Sequence, residues 1–149
     1  MAFDTIDDPR AWIAHILPTL ERSPLYKCWA QGLADDPEMT EFLTLIDKDQ
    51  PSLLVLFTVV NYLVFKEPQQ ALARFYPCLN EHPAPPQDSY LRFRDFCLAH
   101  RKALQELLPG ARLQTNEVTR CANLLPAFHL VAERGGGKPL ALIEIGTSS

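Results

Sequence analysis

The feature that most constrains this chain is its longest apolar run, LLVLFTVVNYLVF, from Leu53 to Phe65. Its thirteen residues, interrupted by Thr58, Asn61 and Tyr62, are too few for a membrane span, which needs about twenty. The run is apolar on nearly every side of a helix, and such a helix is stable in water only when other elements cover it. The sequence therefore predicts a central buried helix with the rest of the chain packed around it.

Prolines mark where the surrounding helices begin. Thirteen are present, and four of them follow a capping or acidic residue. Proline is well tolerated at the first helical position, because the N–H that it lacks would have no partner there. The four pairs are Asp8-Pro9, Ser23-Pro24, Asp36-Pro37 and Glu67-Pro68. Three of these pairs carry a side chain that can cap the helix N-terminus, so they predict helix starts.

Apolar spacing completes the predicted set of helices. Beside the central run and the helices that start at Pro24 and Pro37, the predicted ranges are 9–22, 69–75, 88–108 and 116–133. We expect Pro18 to kink or break the first of them, Asp88 to cap the longest, and Pro126 to bend the last. The positions predicted to face inward are Trp12, Ile13, Ile16, Leu20, Leu25, Trp29, Leu33, Met39, Phe42, Leu43, Ile46, Phe93, Phe96, Cys97 and Leu104. The pattern predicts an all-α, roughly seven-helix, bundle-like domain.

Composition narrows the class of protein. The 149 residues are 47% hydrophobic and 21% charged, with a net charge of −4. These are globular values, and the acidic balance argues against nucleic acid and anionic lipid as partners. The opening MAFDTIDDPRAW lacks the basic-then-apolar order of a secretory signal, which predicts a cytoplasmic protein. Its four cysteines form no C-x-x-C pair, and we expect reduced, buried thiols.

The C-terminal segment GGGKPLALIEIGTSS breaks the helical pattern. Leu140 to Ile145 is typical of a buried parallel strand, and a lone strand needs neighbours for its N–H and C=O groups. We therefore expect residues 1–110 to form a helical domain and residues 111–149 to begin an α/β domain that is cut short in its first strand. In such domains, a glycine turn like the one at Glu144 to Ser148 can carry a ligand on the N-terminus of the next helix.

Two polar groups of residues are candidates for chemistry. In LQTNEVTRCANLLP, Asn116, Glu117 and Arg120 can share one helical face. That face could grip a substrate carboxylate or support a ligand turn, or it could be only a helix cap with a surface ion pair. In FRDFCLAHR, Arg94 and Arg101 stand two turns apart, either as an anion-binding stripe or as a solvated face. No metal-ligand spacing is present among the histidines and cysteines.

The segments QTNEVTRCANLLPAF and PLALIEIGTSS together resemble a bacterial family of unknown function. Its members join a helical N-terminal region to a class I methyltransferase-like C-terminal half. The resemblance implies that Glu144, Gly146 and Ser148 match the loop that binds S-adenosylmethionine, and that Asn116, Glu117 and Arg120 match the preceding helix. Thr119 and Thr147 stand where smaller residues are usual, and every later strand is missing.

The resemblance implies that this chain is the helical, substrate-side part of an S-adenosylmethionine-dependent methyltransferase-like protein. We expect this fragment alone to bind no cofactor and to be inactive, because such sites need the ends of several strands. The alternative is a non-catalytic helical interaction or dimerisation module. We also expect residues 140–145 to lie extended against a neighbouring molecule or the chain's own helices, as in a homodimer. The acceptor substrate stays open.

Overall fold

The computed structural model describes residues 9–113 and 119–139, together with residues 141 and 143. The chain divides into two compact units, residues 1–113 (unit 1) and residues 114–149 (unit 2). Every regular element among the described residues is helical, which confirms the predicted all-α class.

Among the described residues, unit 1 has six α-helices and five short 3₁₀ turns, and unit 2 has one further α-helix. The helices are α1 (Pro9–Ile16), α2 (Pro24–Ala34), α3 (Pro37–Thr40), α4 (Ser52–Lys66), α5 (Tyr90–Ala99), α6 (Arg101–Leu107) and α7 (Thr119–Arg134). The 3₁₀ turns are Leu17–Leu20, Glu41–Leu45, Ala71–Phe75, Pro86–Asp88 and Leu108–Gly110. The predicted helix over 69–75 is therefore only a 3₁₀ turn, because Gln70 before it is extended.

Two of the predicted long helices are interrupted. The first ends at Ile16, and a 3₁₀ turn containing Pro18 follows it, as the proline predicts. The predicted cap at Asp88 is wrong, because that residue closes a 3₁₀ turn and α5 begins only at Tyr90. The predicted helix over 88–108 is also interrupted at His100, whose backbone (φ −104°, ψ 21°) is not α-helical. Its two parts are α5 and α6.

The helix α4 lies in the core as predicted, but not on every side. Nine of its side chains are buried, and they cover most of its circumference. Leu54, Thr58, Tyr62 and Phe65 are exposed along one stripe. These positions are spaced by three or four residues, so they share one helical face. Two of the three interruptions in the apolar run, Thr58 and Tyr62, thus marked the solvent face of this helix.

An aromatic cluster around Trp29 holds the core of unit 1 together. The Trp29 ring is fully buried and stacks on Phe93 with 4.4 Å between the ring centroids. Phe57 and Tyr76 meet it edge-on at 5.4 and 5.9 Å. Its indole Nε1 donates to Ser89 Oγ at 2.9 Å, so its polar atom is satisfied. One side chain of α2 therefore joins α4 and α5.

The inward positions predicted from the sequence are buried, with two exceptions. Trp12 and Ile16 on α1 are only half-buried, whereas the rest lie in the core. The thiol of Cys97 is buried, and burial raises its pKa above the ordinary value. Cys78 is exposed and Cys28 half-buried, so the expectation of buried thiols is wrong for Cys78.

Ser52, at the first position of α4, should tolerate alanine or gain from it. Its residue is 5% exposed and its Oγ has no hydrogen-bond partner among the described residues. A buried hydroxyl without a partner has lost its bonds to water without replacement. We expect Ser52→Ala to leave the free energy of unfolding unchanged or to raise it by about 1 kcal/mol, measured by urea unfolding. A loss of 1 kcal/mol or more, by the same scale, would show that the hydroxyl has a partner.

Candidate functional site

Most of the residues predicted for the ligand turn lie outside the described residues. This holds for Glu144, Gly146 and Ser148, and also for Asn116 and Glu117. Arg120 lies in the first turn of α7, where the backbone is described and the side chain is not. The assignment of these six residues to a cofactor site stays a prediction.

The helix α7 leaves a large apolar face open. Leu124, Phe128 and Val131 follow one another at helical spacing, and all three are exposed. Leu125 and Leu130 are also exposed, but on other sides of the helix. His129, one turn after Leu125, has its Nε2 3.2 Å from Glu133 Oε1 on the side away from Leu124, Phe128 and Val131. The helix is therefore amphipathic, although Pro126 inside it removes one backbone N–H.

The end of α7 follows the glycine pattern predicted from the sequence. Gly136 and Gly137 have φ values of +59° and +78°, in the region that only glycine enters easily. Gly136 N donates to Glu133 O at 3.2 Å, which closes the last turn. Beyond it, Ile143 is 89% exposed. The partner predicted for residues 140–145 stays a prediction.

Unit 1 carries a polar network centred on Asp36, the N-cap of α3. Asp36 Oδ1 accepts from Met39 N at 3.3 Å, as a capping side chain should. Asp36 Oδ2 accepts from Tyr90 Oη at 3.0 Å and from Arg94 Nε at 2.8 Å. Gly32 leaves room for the Tyr90 ring, because a Cβ at position 32 would overlap that ring. The network thus ties α3 to α5 across 58 residues of sequence.

The network changes the proton affinity of its members. Burial of Asp36 opposes ionisation, but the hydrogen bonds from Arg94, Tyr90 and Met39 N outweigh it, so the pKa of Asp36 lies below its ordinary value. Burial raises the pKa of Tyr90 above its ordinary value, and the carboxylate of Asp36 adds to the rise. Tyr90 is therefore a neutral hydrogen-bond donor at physiological pH.

The two arginines proposed as an anion-binding stripe are both occupied by carboxylates. Arg94 Nη2 lies 2.6 Å from Glu38 Oε2, and Arg101 Nη2 lies 2.7 Å from Glu38 Oε1. Arg101 Nη1 also lies 3.7 Å from Glu41 Oε2. Three carboxylates, counting Asp36, thus face two guanidinium groups, which leaves no excess positive charge for an anion. The arginines are half-buried and lock α5 and α6 to α3 and the turn after it, so this side is a partly solvated, ion-paired face.

The lowered pKa of Asp36 predicts a defined pH dependence. Its folded-state pKa is below the unfolded value of about 3.9, so its contribution to stability is present above that value. The contribution is lost as the pH falls through the folded-state pKa. We expect Asp36→Asn to lower the free energy of unfolding by about 1.5 kcal/mol at pH 7. In urea titrations this difference should shrink below about pH 4, and a constant difference down to pH 3 would contradict the assignment.

A second polar group links α2 and α4 beside the aromatic cluster. The side-chain amide of Asn61 donates to Tyr26 Oη, and Asn61 Oδ1 accepts from Tyr76 Oη at 2.7 Å. Tyr76 is buried, and burial raises its pKa above the ordinary value. Tyr26 and Asn61 are half-buried. This group was not predicted, although a lone asparagine in an apolar run was a signal that it needs partners.

The C-terminal end of α4 is tied to the break between α5 and α6. Glu67 Oε2 accepts from Gln70 Nε2 at 2.8 Å and lies 3.5 Å from His100 Nε2. The hydrogen bond from Gln70, followed by that from His100, lowers the pKa of Glu67 below its ordinary value. His100 Nδ1 lies 2.9 Å from Phe96 O, and the imidazole stacks on the Phe96 ring. We find no group of metal-ligating side chains among the described residues.

The sequence comparison decides the family. Residues 18–149, nearly the whole chain, match the family described as an uncharacterized protein conserved in bacteria (DUF2332). The chain belongs to the DUF2332 family. Comparisons with curated proteins and with solved structures found no match.

Membership of DUF2332 confirms part of the resemblance seen in the sequence. The bacterial family of unknown function is confirmed, whereas its methyltransferase-like half stays a prediction. Within the described ranges, no helix is long and apolar enough to cross a bilayer. For DUF2332, the structure adds a folded helical unit with its own core and an amphipathic helix that precedes the predicted ligand turn.

Proposed function

We propose that this chain is the helical, substrate-side part of an S-adenosylmethionine-dependent methyltransferase-like protein. Unit 1 would choose or enclose the methyl acceptor, and unit 2 would begin the cofactor-binding half. The 149 residues alone would be inactive, because a site of this class is built from the carboxyl ends of several strands.

The open apolar face of α7 is the observation that carries the proposal. Leu124, Phe128 and Val131 are exposed on one face of a helix that a short glycine-rich link joins to an apolar segment. Burying each such side chain is worth about 1.5–3 kcal/mol, so this face has a strong tendency to find a second layer. A helix followed by an apolar strand is the unit from which α/β layers are built. The sheet of an α/β domain would cover this face.

The predicted turn supplies the chemistry of binding. Bound S-adenosylmethionine supplies an electrophilic methyl group. Gly146 would let the ligand approach the backbone, and Glu144 and Ser148 would offer hydrogen-bonding oxygens on either side of it. Asn116, Glu117 and Arg120, on the segment before and in α7, would hold the turn in place.

Unit 1 has the properties of a domain that keeps its shape while it covers a site. It has its own aromatic core, and ion pairs between Asp36, Glu38, Arg94 and Arg101 hold α3, α5 and α6 together. Such a unit can present a fixed surface to an acceptor substrate. The choice of acceptor would then depend on which side chains that surface exposes.

Calorimetry tests the proposal on the product of the gene read past Ser149. Titration with S-adenosylmethionine should give saturable binding, and Gly146→Val should abolish it, because a branched side chain would block the backbone approach. Gly110→Val is the matched control, since the space around Gly110 is open. The absence of binding at millimolar ligand would leave the alternative, a non-catalytic interaction module.

The same titration on the 149-residue chain should show no saturable binding. Saturable binding that Gly146→Val removes would overturn the claim that later strands are needed. The proposed homodimer through residues 140–145 is tested by light scattering on residues 1–149 and 1–138. A dimer that the shorter chain loses supports it, and equal masses for the two chains rule it out.

A further inference from the structure

The exposed stripe of α4 combines aromatic contact area with open hydrogen-bond donors. We call it the α4 seam, and its members are Leu54, Thr58, Asn61, Tyr62, Phe65 and Lys66. Phe65 is 50% exposed and Tyr62 48% exposed. A single exposed apolar side chain is ordinary, but two neighbouring aromatic rings beside an asparagine form a surface with a definite chemistry.

The hydrogen bonds of Asn61 show which donors are open. Exchanging its amide oxygen and nitrogen would leave the O–H of Tyr76 without an acceptor inside the protein. Tyr76 is 4% exposed, so that arrangement would strand a buried donor. The observed orientation, in which Tyr76 donates to Asn61 Oδ1, is therefore the stable one. In this orientation, the O–H group without an acceptor is that of the half-buried Tyr26.

Two donors are thus free at the seam. The oxygen of Tyr26 accepts from the Asn61 amide, so its own hydrogen has no acceptor among the described residues. The amide of Asn61 carries a second N–H, and the structure shows one bond from that nitrogen. A ligand with acceptor oxygens can satisfy both donors.

A positive charge lies at the same surface. Lys66 Nζ lies 4.2 Å from the centroid of the Tyr62 ring. It forms no ion pair with a carboxylate in the described part of the chain, whereas Arg94 and Arg101 are both paired. Because its four-carbon stem is flexible, the ammonium group can turn to meet an anion.

We propose that the α4 seam, together with Tyr26, binds a small carboxylate with an aromatic body. Phe65 and Tyr62 contact the aromatic ring, Tyr26 and Asn61 donate to the carboxylate oxygens, and Lys66 balances its charge. The donors and the cation select an anion with two acceptor oxygens over a neutral apolar partner. Three exposed apolar side chains are too few for a second copy of the chain, since stable interfaces bury about 1,200 Å² or more. The proposal does not depend on S-adenosylmethionine.

Calorimetry of the 149-residue chain with 4-phenylbutyrate tests this site. The matched ligands are 4-phenylbutyramide, which keeps the ring but loses the charge, and acetate, which keeps only the carboxylate. Phenylbutyrate should bind in the millimolar range, the amide about tenfold more weakly, and acetate not measurably. Equal affinity for phenylbutyrate and the amide, or no binding of phenylbutyrate, would overturn the proposal.

Variants locate the binding. Phe65→Ser should weaken phenylbutyrate binding about fivefold or more, while Leu91→Ser, on an exposed leucine of α5, should leave it unchanged. Lys66→Gln should remove the preference for phenylbutyrate over its amide. Tyr26→Phe should weaken both ligands, since the ring stays and only the donor is lost. Unchanged circular dichroism shows that each variant is folded.

Equal weakening by Phe65→Ser and Leu91→Ser would show general apolar adsorption and overturn the site. Sedimentation of the unliganded chain tests whether a second copy of the chain covers the seam. A dimer that Phe65→Ser dissolves would place a second copy on the seam and would also overturn the proposal. A single mass that does not change with Phe65→Ser leaves the seam open for the carboxylate.

Discussion

Replacing Trp29 by alanine should lower the free energy of unfolding of unit 1 by about 3–5 kcal/mol. The ring is fully buried and contacts Phe57, Tyr76 and Phe93 at once. The substitution opens a cavity at the point where α2, α4 and α5 meet, and it leaves Ser89 Oγ without its indole donor. Urea unfolding followed by far-ultraviolet circular dichroism measures the loss. A loss of this size is a large share of the free energy of unfolding of an ordinary domain.

Trp12→Ala is the matched control, because it deletes the same atoms at a half-buried site. Trp12→Ala should lower the free energy of unfolding clearly less than Trp29→Ala, since part of the Trp12 ring is already exposed. Equal losses at the two tryptophans would contradict a core that is organised around Trp29.

Exchanging Gly32 for alanine should destabilise unit 1 by about 2–3 kcal/mol. In most helices this change is favourable by about 1 kcal/mol, because alanine is the better helix former. Here the new methyl group would overlap the ring carbons of Tyr90, which lie close to the α5 backbone and cannot simply swing away. The helices must separate, and the hydrogen bond from Tyr90 to Asp36 is strained or lost.

A double-mutant comparison isolates the cause. In a Tyr90→Ala background the overlap is gone, so Gly32→Ala should lose its cost and regain the usual benefit of alanine. Gly110→Ala is the control for glycine replacement as such, because nothing lies within 4 Å of its added Cβ. If Gly32→Ala costs the same in both backgrounds, the contact with Tyr90 is not what fixes the glycine.

Local features of the chain were predictable from the sequence. The starts at Pro24 and Pro37 were predicted from proline and a preceding capping residue, and both helices begin there. The Asp36 side chain caps its helix as predicted, whereas the Ser23 side chain forms no capping hydrogen bond. The inward faces of α2 and of the segment after Pro37 follow from apolar spacing, which the burial of Leu33 and Phe42 confirms. These predictions needed only residues within about two helical turns.

Contacts between distant parts of the chain were not predictable in the same way. The sequence placed Arg94 and Arg101 on one side of a helix, but it could not show that Asp36 and Glu38 face them across more than fifty residues. The break at His100 was missed for a related reason. Nothing near it in sequence marks a stop, and its imidazole lies 3.5 Å from Glu67, the residue that follows α4.

The candidate site was predictable from the sequence only in part. The bacterial family was indicated by motif resemblance and is confirmed by the match over residues 18–149. The cofactor turn at Glu144, Gly146 and Ser148 stays a prediction, since these residues lie outside the described ones. The α4 seam came from the structure alone, because its open donors follow from a hydrogen-bond chain that joins Tyr26 and Asn61 in space.

Hydrogen exchange on the intact protein, with and without S-adenosylmethionine, tests the central claim most directly. The claim is that the segment after α7 binds the cofactor and that unit 1 lies on the substrate side. Saturating ligand should slow amide exchange at residues 144–148, because bound backbone N–H groups are protected there. The core of unit 1 should exchange as before. Unchanged exchange at residues 144–148, or protection confined to residues 9–113, would contradict the claim.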